Sequence, residues 1–537
     1  MSCTPPTMFN PNTDLEAIGV YNVFDQNYGA SMSVCGMSTS GSASDNRKAL
    51  QAAISTAIAQ GGGTVLIPDG AYDIDGKITI GTTPIGDVAL NIQGTSGNST
   101  LSVTHSTDPV LFQVQTNLDN GSAVNFIDLR IVCKHHDAMT AIEVVQGQNI
   151  RLLRVTIADF PNSVVFNDAV QCSILECTFK SSKSAASGII NVTIGGSSSD
   201  IYIAASTFFS TVWGSPPGNG GVGISINNCE RLRVTNVRLE GLNQGIAIAP
   251  GSGEFCTDLF FRNVSAFTSL MPTEGVYGGE GASLAIMPTG SGVVQRIECI
   301  CCELCPTDLN MSQYDYGGIY VANDGGTATV DQIRLVSCYA TRWPGPAVQI
   351  VGGSNIEIIG GCYSCNSTDT VSAPLPSCAI LIDGTYGVSG VRLVGLASTN
   401  SVYDVHEGWL PATQEYAVVV QGSAAEIRVR DCNLTGNTTG AISVASGTTD
   451  VEVTECSGYN DKAVQFTPPI NVAFANINLT PPYFGPITFY VWGGAGTAVK
   501  IESHATGLAH GAFSLAPKQS AMIIAGIAPP SRLAIGQ

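Results

Sequence analysis

A small residue followed by an apolar, a variable and a second apolar residue recurs along most of the chain. Copies begin at Ala141, Ser163, Gly223, Gly245, Ser283, Gly318, Ala347, Ala379, Ala417, Ala441 and Ala463, with a weaker copy at Ile189-Ile190. Successive copies start 22 to 38 residues apart. An internal repeat of this length, with apolar residues at alternate positions, predicts short strands stacked as a solenoid.

A second strand pattern, apolar-x-apolar, falls between these copies. It is found at Ile150-Arg151-Leu152, Leu232-Arg233-Val234, Ile333-Arg334-Leu335 and Ile427-Arg428-Val429. Gly- and Ser-rich turns separate the strands, and no helical periodicity interrupts them. The pattern therefore predicts an all-β fold, a parallel β-helix that is a single-stranded solenoid of about a dozen rungs over residues 81–469.

Stacked rungs place equivalent side chains in columns along the axis. The predicted inward column consists of Val132, Val155, Cys177, Ser206, Val237, Val264, Cys302, Cys338, Gly361, Leu396, Cys432 and Cys456. Neighbours such as Cys432 and Cys456 would be close enough for a disulfide. However, the chain has 17 cysteines, an odd number, and no visible secretion signal, which favours free thiols.

Both ends of the solenoid are predicted to be capped. Residues 1–80 form the N-terminal cap, with a helix over 45–60 that starts at Ser44 or Asp45 and stops at Gly61-Gly62-Gly63. Residues 470–537 form a small C-terminal β-sandwich-like cap. Its strands are predicted at Ile487–Trp492, Ala498–Ile501 and Ala521–Ile524.

Composition narrows the classes of partner. The 537 residues carry a formal net charge of −19, the wrong sign for neutralising phosphates or an anionic membrane surface. Apolar runs stay below the roughly 18 residues of a membrane span. We therefore expect the protein neither to bind nucleic acid nor to insert into a membrane. The CxxC pairs Cys302/Cys305 and Cys362/Cys365 permit a zinc site, but interior packing is favoured, so no metal or cofactor is predicted.

The N-terminal region carries a family resemblance. Val23-Phe24-Asp25, then Asp45-Asn46-Arg47 leading to Ile54, then Gly61-Gly62-Gly63 leading to Tyr72 resemble the opening segment of the pectate-lyase-like right-handed parallel β-helix superfamily, especially phage tailspikes. The resemblance implies a right-handed coil, a homotrimer, and a virion-tail or extracellular location without a signal peptide, with a phage tail adaptor protein as a further partner. It also implies a polysaccharide partner.

Insertions at one corner of a solenoid stack on one face and form its binding surface. Five long connections, at 207–222, 265–282, 303–317, 362–378 and 397–416, predict such a face. The candidate catalytic acids on these loops are Glu274, Glu280, Asp308 and Asp315. The candidate substrate-binding residues are Trp213, Tyr314, Tyr316, Arg342, Trp343 and Trp409.

Paired carboxylates one or two rungs apart have the spacing used in glycoside hydrolysis, with aromatic rings to stack on sugars. The sequence therefore predicts a tailspike-like polysaccharide depolymerase of the glycoside hydrolase type. A second candidate cluster is Asp404, His406 and Glu407, and a third is Cys133-Lys134-His135-His136-Asp137.

Three other functions stay open at this point. A polysaccharide lyase would use Arg342 with Tyr314 or Tyr316 as its base. The superfamily also includes fructan transferases, and a noncatalytic glycan-binding fibre or adhesin needs none of the acids. A Ser/His/Asp hydrolase has no support, because the chain contains no GxSxG.

Overall fold

The computed structural model describes residues 20–22, 37–81, 88–104, 108–116, 122–134, 139–182, 189–210, 221–268, 282–306, 317–323, 325–343, 345–366, 375–399 and 414–459, with short strands outside these ranges. The chain divides into two compact units, Met1–Arg334 and Leu335–Gln537. Within the described residues, no helix has both the length and the apolar character needed to cross a membrane.

Each rung of the first unit contributes a strand to three parallel sheets in turn. The first sheet contains Ile78–Ile80, Val110–Gln115, Thr140–Gln148, Asn162–Asn167, Ile190–Gly195, Val222–Ile226, Gln244–Ile248, Leu284–Ile286 and Ile319–Val321. The second contains Val20–Asn22, Gly62–Ile67, Ala89–Gly94, Ala123–Ile127, Ile150–Leu153, Ala169–Val170 at its start, Ser173–Leu175, Ser198–Ala204 and Val293–Ile300. The third contains Gly70–Ile74, Ser99–Val103, Arg130–Cys133, Thr156–Ala158, Thr178–Ser181, Thr207–Ser210 and Glu303–Pro306.

Two long strands, Cys229–Leu242 and Phe255–Thr268, run through both the second and third sheets. A further strand, Thr329–Val336, follows in the sequence. The predicted all-β solenoid is therefore confirmed in this unit.

The small-residue repeat coincides with the first sheet. Ile142 pairs with Val164, and Ile224 pairs with Ile246, so the small residue before each lies in one column. One copy was placed wrongly: Val164 pairs with Val192, so Asn191 rather than Ile189 occupies the position. At Gly245 a side chain is excluded, because an added Cβ would lie 2.5 Å from the Ser283 carbonyl oxygen.

Most rungs turn at single residues with left-handed backbone. In the first unit, the first corner, between the first and second sheets, has positive φ at Asn149, Gln171, Asp200, Arg231, Asp258, Arg296 and Gln332. The second corner, between the second and third sheets, has φ between 49° and 54° at Asp128, Arg154, Glu176, Ala205, Asn236, Asn263 and Cys301. One left-handed residue reverses the inward and outward alternation without a loop, which keeps the rungs in register.

The predicted inward column follows the second corner directly. Register places Val155, Cys177, Ser206, Val237, Val264 and Cys302 on consecutive rungs. Val132 was wrongly included: Ile157 pairs with Ile131, so buried Leu129 is the partner of Val155 and Val132 is only half-buried.

The structure supplies a reason for cysteine and serine in the inward column. The thiols of Cys177 and Cys302 and the hydroxyl of Ser206 each donate to the carbonyl oxygen two residues earlier, at 3.3, 3.7 and 2.8 Å. Each side chain therefore adds a hydrogen bond to a corner carbonyl, and the carbonyl oxygens of Leu175 and Ala204 also accept a backbone N–H from the neighbouring rung. All the described cysteines are free, and burial raises the pKa of Cys177 to about 11.

Ion pairs join neighbouring corner residues on the outside. Arg154 binds Asp128 through two hydrogen bonds of 2.6 and 2.9 Å, and Arg231 binds Asp200 at 2.7 and 2.9 Å. The next two rungs repeat the arrangement, with Arg296 bound to Asp258. The hydrogen bonds from Arg231 and then its charge lower the pKa of Asp200. Opposite charges thus alternate along the first corner from Asp200 to Arg296, and Arg154 with Asp128 forms a separate pair at the second corner.

A single helix, Ala43–Ala59, is described in the chain, and it packs on the first strands through Leu50, Ala53 and Ile54. The helix N-cap was predicted at Ser44 or Asp45, which is wrong. Ser42 is the N-cap, and its hydroxyl accepts a hydrogen bond from the Asp45 N–H at 3.1 Å. The predicted glycine stop is confirmed: Gly61 has a φ of 90°.

The second unit continues the same pattern. Its parallel strands are Val348–Ile350, Gly353–Ile359, Cys378–Ser389, Arg392–Val394, Tyr416–Arg430, Gly440–Val444 and Thr449–Thr454. Single bridges join Tyr339, Cys362, Ala397, Asn433 and Ser457 in its third sheet. These bridges place Cys338, Gly361, Leu396, Cys432 and Cys456 in one column, as predicted.

Antiparallel strands follow near the C-terminus. Ile477–Leu479, Ala498–Ile501, His504–Ala505 and Ala521–Ile524 form one sheet, and Ile487–Trp492, Gly511–Leu515 and Arg532–Gly536 form another. The three strands predicted in this region have the predicted bounds. The boundaries at residues 80 and 469, and the extent of a separate C-terminal cap, stay predictions.

Ala205 is the one second-corner residue of the first unit with no polar or sulfur-bearing side chain, and its φ of 49° is unfavourable for alanine. We expect Ala205→Gly to raise the free energy of unfolding by about 0.5–1 kcal/mol, since glycine removes the strain but gains entropy when unfolded. Urea unfolding measures this change. Ala204→Gly, in the adjoining strand, is the matched control and should destabilise; equal effects of the two changes would refute the strain argument.

Candidate functional site

Three long connections of the first unit leave from equivalent positions. Phe209 pairs with Glu240, Glu240 with Phe267, and Phe267 with Cys305, so the third-sheet strands ending at Ser210, Thr268 and Pro306 are in register. The rung between the first two turns back by a short connection at Gly241. The predicted stacking of insertions at one corner is therefore confirmed for the points where these loops begin.

Most predicted site residues lie on the loops themselves. Trp213, Glu274, Glu280, Asp308, Tyr314, Asp315, Tyr316, His406, Glu407 and the His135-His136-Asp137 segment are outside the described residues. For Asp404 and Trp409 the backbone alone is described: Tyr403–Asp404 pairs antiparallel with Gly408–Trp409. The catalytic and binding roles of these residues stay predictions.

The structure contradicts the role predicted for Trp343. Trp343 is 0% exposed, and its backbone N–H donates to the Asn366 Oδ1 at 3.1 Å. Asn366 is itself buried and donates to the Ala340 carbonyl oxygen, while its N–H bonds to Gln414. Trp343 is therefore a packing residue of the second unit and presents no ring face on which a sugar can stack.

Arg342 precedes Trp343 and is half-buried, with a left-handed φ of 67°. Its N–H donates to the Ser364 carbonyl oxygen at 3.4 Å. These contacts involve only the backbone of Arg342, so its role in holding an acidic sugar stays a prediction.

The outward face of the third sheet lies where the loops of the first unit begin. We call it the third-sheet face and define it by Lys180, Phe209, Arg238, Glu240, Phe267 and Glu303. Two rows of paired residues cross this face. One row consists of Lys180, Phe209, Glu240 and Phe267, and the row beside it consists of Thr207, Arg238, Ser265 and Glu303. Adjacent members of a row are about 4.8 Å apart along the axis.

Arg238 is held at the centre of the third-sheet face. Its Nη2 and Nε lie 2.9 and 3.0 Å from the Glu240 Oε2, and its guanidinium carbon is 5.6 Å from the centroid of the Phe267 ring. Glu240 is flanked by Phe209 on one rung and Phe267 on the other. A fixed guanidinium, a carboxylate acceptor and two aromatic rings are groups that hydrogen-bond and stack with sugars.

The third-sheet face alone lacks a retaining carboxylate pair. Glu240 and Glu303 belong to rungs two apart, about 10 Å along the axis, which exceeds the roughly 5 Å of a retaining pair. Within the described residues, moreover, no cluster of three or more His, Cys, Asp or Glu could hold a metal ion. Glu240 and Glu303 are therefore not a retaining pair, and the catalytic acids predicted from the sequence lie on the loops.

Sequence analysis did not identify Phe209, Glu240 and Phe267. Residues 207–210 and 265–268 were assigned to loops, whereas the structure shows strands through Ser210 and Thr268. Counting three residues on from the inward column at Ser206, Val237 and Val264 would have found all three.

Comparisons with known proteins show the same architecture. A mutant tailspike of E. coli bacteriophage HK620 in complex with a hexasaccharide is 13% identical, with a TM-score of 0.56, covering 98% of this chain and 94% of that chain. A double mutant of the same tailspike in complex with a pentasaccharide is also 13% identical, with a TM-score of 0.55 and the same coverage of both chains. The chain has the right-handed parallel β-helix fold of these tailspikes.

A third solved structure is the A-module of a mannuronan C-5 epimerase of Azotobacter vinelandii. It is 14% identical, with a TM-score of 0.48, covering 80% of this chain and 100% of that module. No protein-family model matches the chain, and no curated protein matches it.

Burial of Trp343 generates a test that separates packing from binding. We expect Trp343→Ala to lower the free energy of unfolding by about 3–5 kcal/mol, because it leaves a large cavity in the interior. Chemical denaturation measures the loss. Tyr339→Ala, at an exposed aromatic in the same unit (51% exposed), should change stability by less than about 0.5 kcal/mol. Wild-type stability of Trp343→Ala would contradict the packing role.

Proposed function

We propose that the protein is a tailspike-like polysaccharide depolymerase that works outside the cell, on a virion tail or otherwise. The observation that carries the proposal is the register of the three loop origins above the third-sheet face, with its aromatic rings and charged groups. The solved tailspike complexes with a hexasaccharide and a pentasaccharide support the same ligand class. A phage tail adaptor protein is part of this proposal as a further partner.

Hydrolysis is the proposed chemistry. Glu274 and Glu280 belong to the loop that begins after Thr268, and Asp308 and Asp315 to the loop that begins after Pro306. We assign one carboxyl of this set to protonate the leaving oxygen and another to activate water or attack the anomeric carbon. Trp213, Tyr314 and Tyr316 from the same loops supply stacking faces, and the third-sheet face holds the neighbouring sugars.

Two further groups belong to the proposal. Asp404, His406 and Glu407, with Trp409, form a second acid/base cluster in the second unit. We assign Arg342 to bind the acidic group of a sugar. A fructan transferase, a lyase or a noncatalytic adhesin is distinguished from the hydrolase by the experiment that follows.

The test incubates purified protein with a panel of bacterial surface polysaccharides and fructans. Chain length, new reducing ends and the absorbance of unsaturated uronates are followed together. We expect shortening with an equal number of new reducing ends and no absorbance rise. An absorbance rise would replace the hydrolase with a lyase, and shortening without reducing ends would indicate a transferase. Binding without shortening would leave an adhesin.

Variants locate the activity on the glycan that responds. At least one of Glu274→Gln, Glu280→Gln, Asp308→Asn and Asp315→Asn should lower turnover by about 1000-fold or more while binding persists. Phe209→Ala and Phe267→Ala should each weaken binding roughly tenfold through lost apolar contact. Phe255→Ala is the matched control, since Phe255 is 53% exposed away from the third-sheet face. An equal loss in all three would refute this location.

We also propose that the protein self-associates as a homotrimer, on its resemblance to tailspikes. Light scattering should then give a mass of about three times the 55.7 kDa of the chain. A mass of one chain across the working concentration range would exclude the trimer, and would leave the glycan proposal standing on its own test.

A further inference from the structure

Two cysteines occupy adjacent rungs at the end of the inward column of the second unit. A bridge joins Asn433 to Ser457, the residues that directly follow Cys432 and Cys456. The Ser457 N–H donates to the Cys432 carbonyl oxygen at 2.9 Å, and the Leu434 N–H donates to the Ser457 carbonyl oxygen at 2.8 Å. The two Cα atoms are therefore one rung apart, about 4.8 Å, within the range that a disulfide spans.

The two thiols differ in exposure and in acidity. Cys432 is 2% exposed, whereas Cys456 is half-buried. A hydrogen bond between the two sulfurs lowers the pKa of Cys456 and raises the pKa of Cys432. The thiolate is the species that attacks disulfides, so Cys456 is the more reactive thiol of the pair.

The first unit contains a second pair of cysteines on adjacent rungs, in which neither thiol is exposed. Cys229 pairs directly with Cys256 on adjacent rungs, but both side chains are fully buried. Burial raises the pKa of Cys256 to about 12 and also raises the pKa of Cys229. Adjacent rungs alone therefore leave thiols inert, and access for an oxidant distinguishes the two pairs.

We propose that Cys432 and Cys456 are a redox-active pair, which a low-molecular-weight disulfide such as oxidised glutathione converts into an intramolecular disulfide. The Cys456 thiolate attacks one sulfur of glutathione disulfide and releases the first glutathione thiolate. The Cys432 thiol then loses its proton to solvent and attacks the Cys456 sulfur, releasing the second glutathione thiolate. The protein loses two electrons, and one glutathione disulfide becomes two glutathione thiols.

The bond would join the last two described rungs covalently. A cross-link between neighbouring rungs restricts their local opening while leaving the backbone hydrogen bonds in place. The site is thus a modification site that protects two neighbouring rungs against local opening, and it is independent of the proposed glycan activity.

The test uses the full chain in glutathione buffers of increasing oxidised fraction, quenched with acid and alkylated. Peptide mass spectrometry should find a Cys432–Cys456 disulfide in the oxidised protein, with Cys229 and Cys256 alkylated only after denaturation. Amide hydrogen exchange at Thr449–Thr454 should slow by about tenfold or more on oxidation. C456S should abolish both the disulfide and the slowing, and serine already occupies this column at Ser206.

Three results would overturn the proposal. One is a stable mixed disulfide of glutathione on Cys456 that never resolves to the internal bond. The second is oxidation of Cys229–Cys256 at the same glutathione ratio, which would show that exposure does not select the pair. The third is a disulfide without slower exchange, which would remove its protective role. C432S controls for folding, because it should retain native exchange and form the mixed disulfide alone.

Discussion

The left-handed residue at each corner is the constraint on which the rest of this structure depends. Ordinary L-residues avoid this backbone conformation at a cost of about 1–2 kcal/mol. Here it recurs at two corners of nearly every described rung, and on mostly non-glycine residues such as Asp128, Arg154 and Glu176. One residue per corner turns the strand with no inserted loop, so the next rung repeats the same geometry. Parallel hydrogen bonds between rungs then offset the local strain.

Strict register converts sequence positions into columns with shared environments. Inside, the residue after the second corner lies next to a backbone carbonyl, and Cys177, Ser206 and Cys302 donate a hydrogen bond to it while filling little space. Outside, the corner residues themselves stack, and Asp200 with Arg231 shows how opposite charges on neighbouring rungs hold the edge. A chain with a net charge of −19 thereby places its few arginines where they neutralise adjacent carboxylates.

The same register brings together the groups of the proposed binding face. Loops that begin at Ser210, Thr268 and Pro306 are far apart in sequence but emerge from one corner, above a face built by Phe209, Glu240 and Phe267. Arg238 is held over Phe267 by Glu240, so its guanidinium has a defined orientation. A rigid coil with variable loops at one corner separates the stability of the scaffold from the chemistry of the surface.

The sequence by itself determined the repeat, the small-residue column, the inward column from Val155 onwards and the helix at the N-terminus. These features depend on local alternation and spacing, which a linear pattern records directly. The tertiary structure alone decided that Asn191 replaces Ile189 in its column, that Leu129 replaces Val132, and that Trp343 is buried. The first two depend on a shift in register, and the burial of Trp343 depends on packing against other rungs. Neither a register shift nor packing between rungs leaves a signal in the local sequence. The third-sheet face was missed because residues 207–210 and 265–268 were assigned to loops, and only the pairing of these strand ends with neighbouring rungs shows that Phe209, Glu240 and Phe267 form one row.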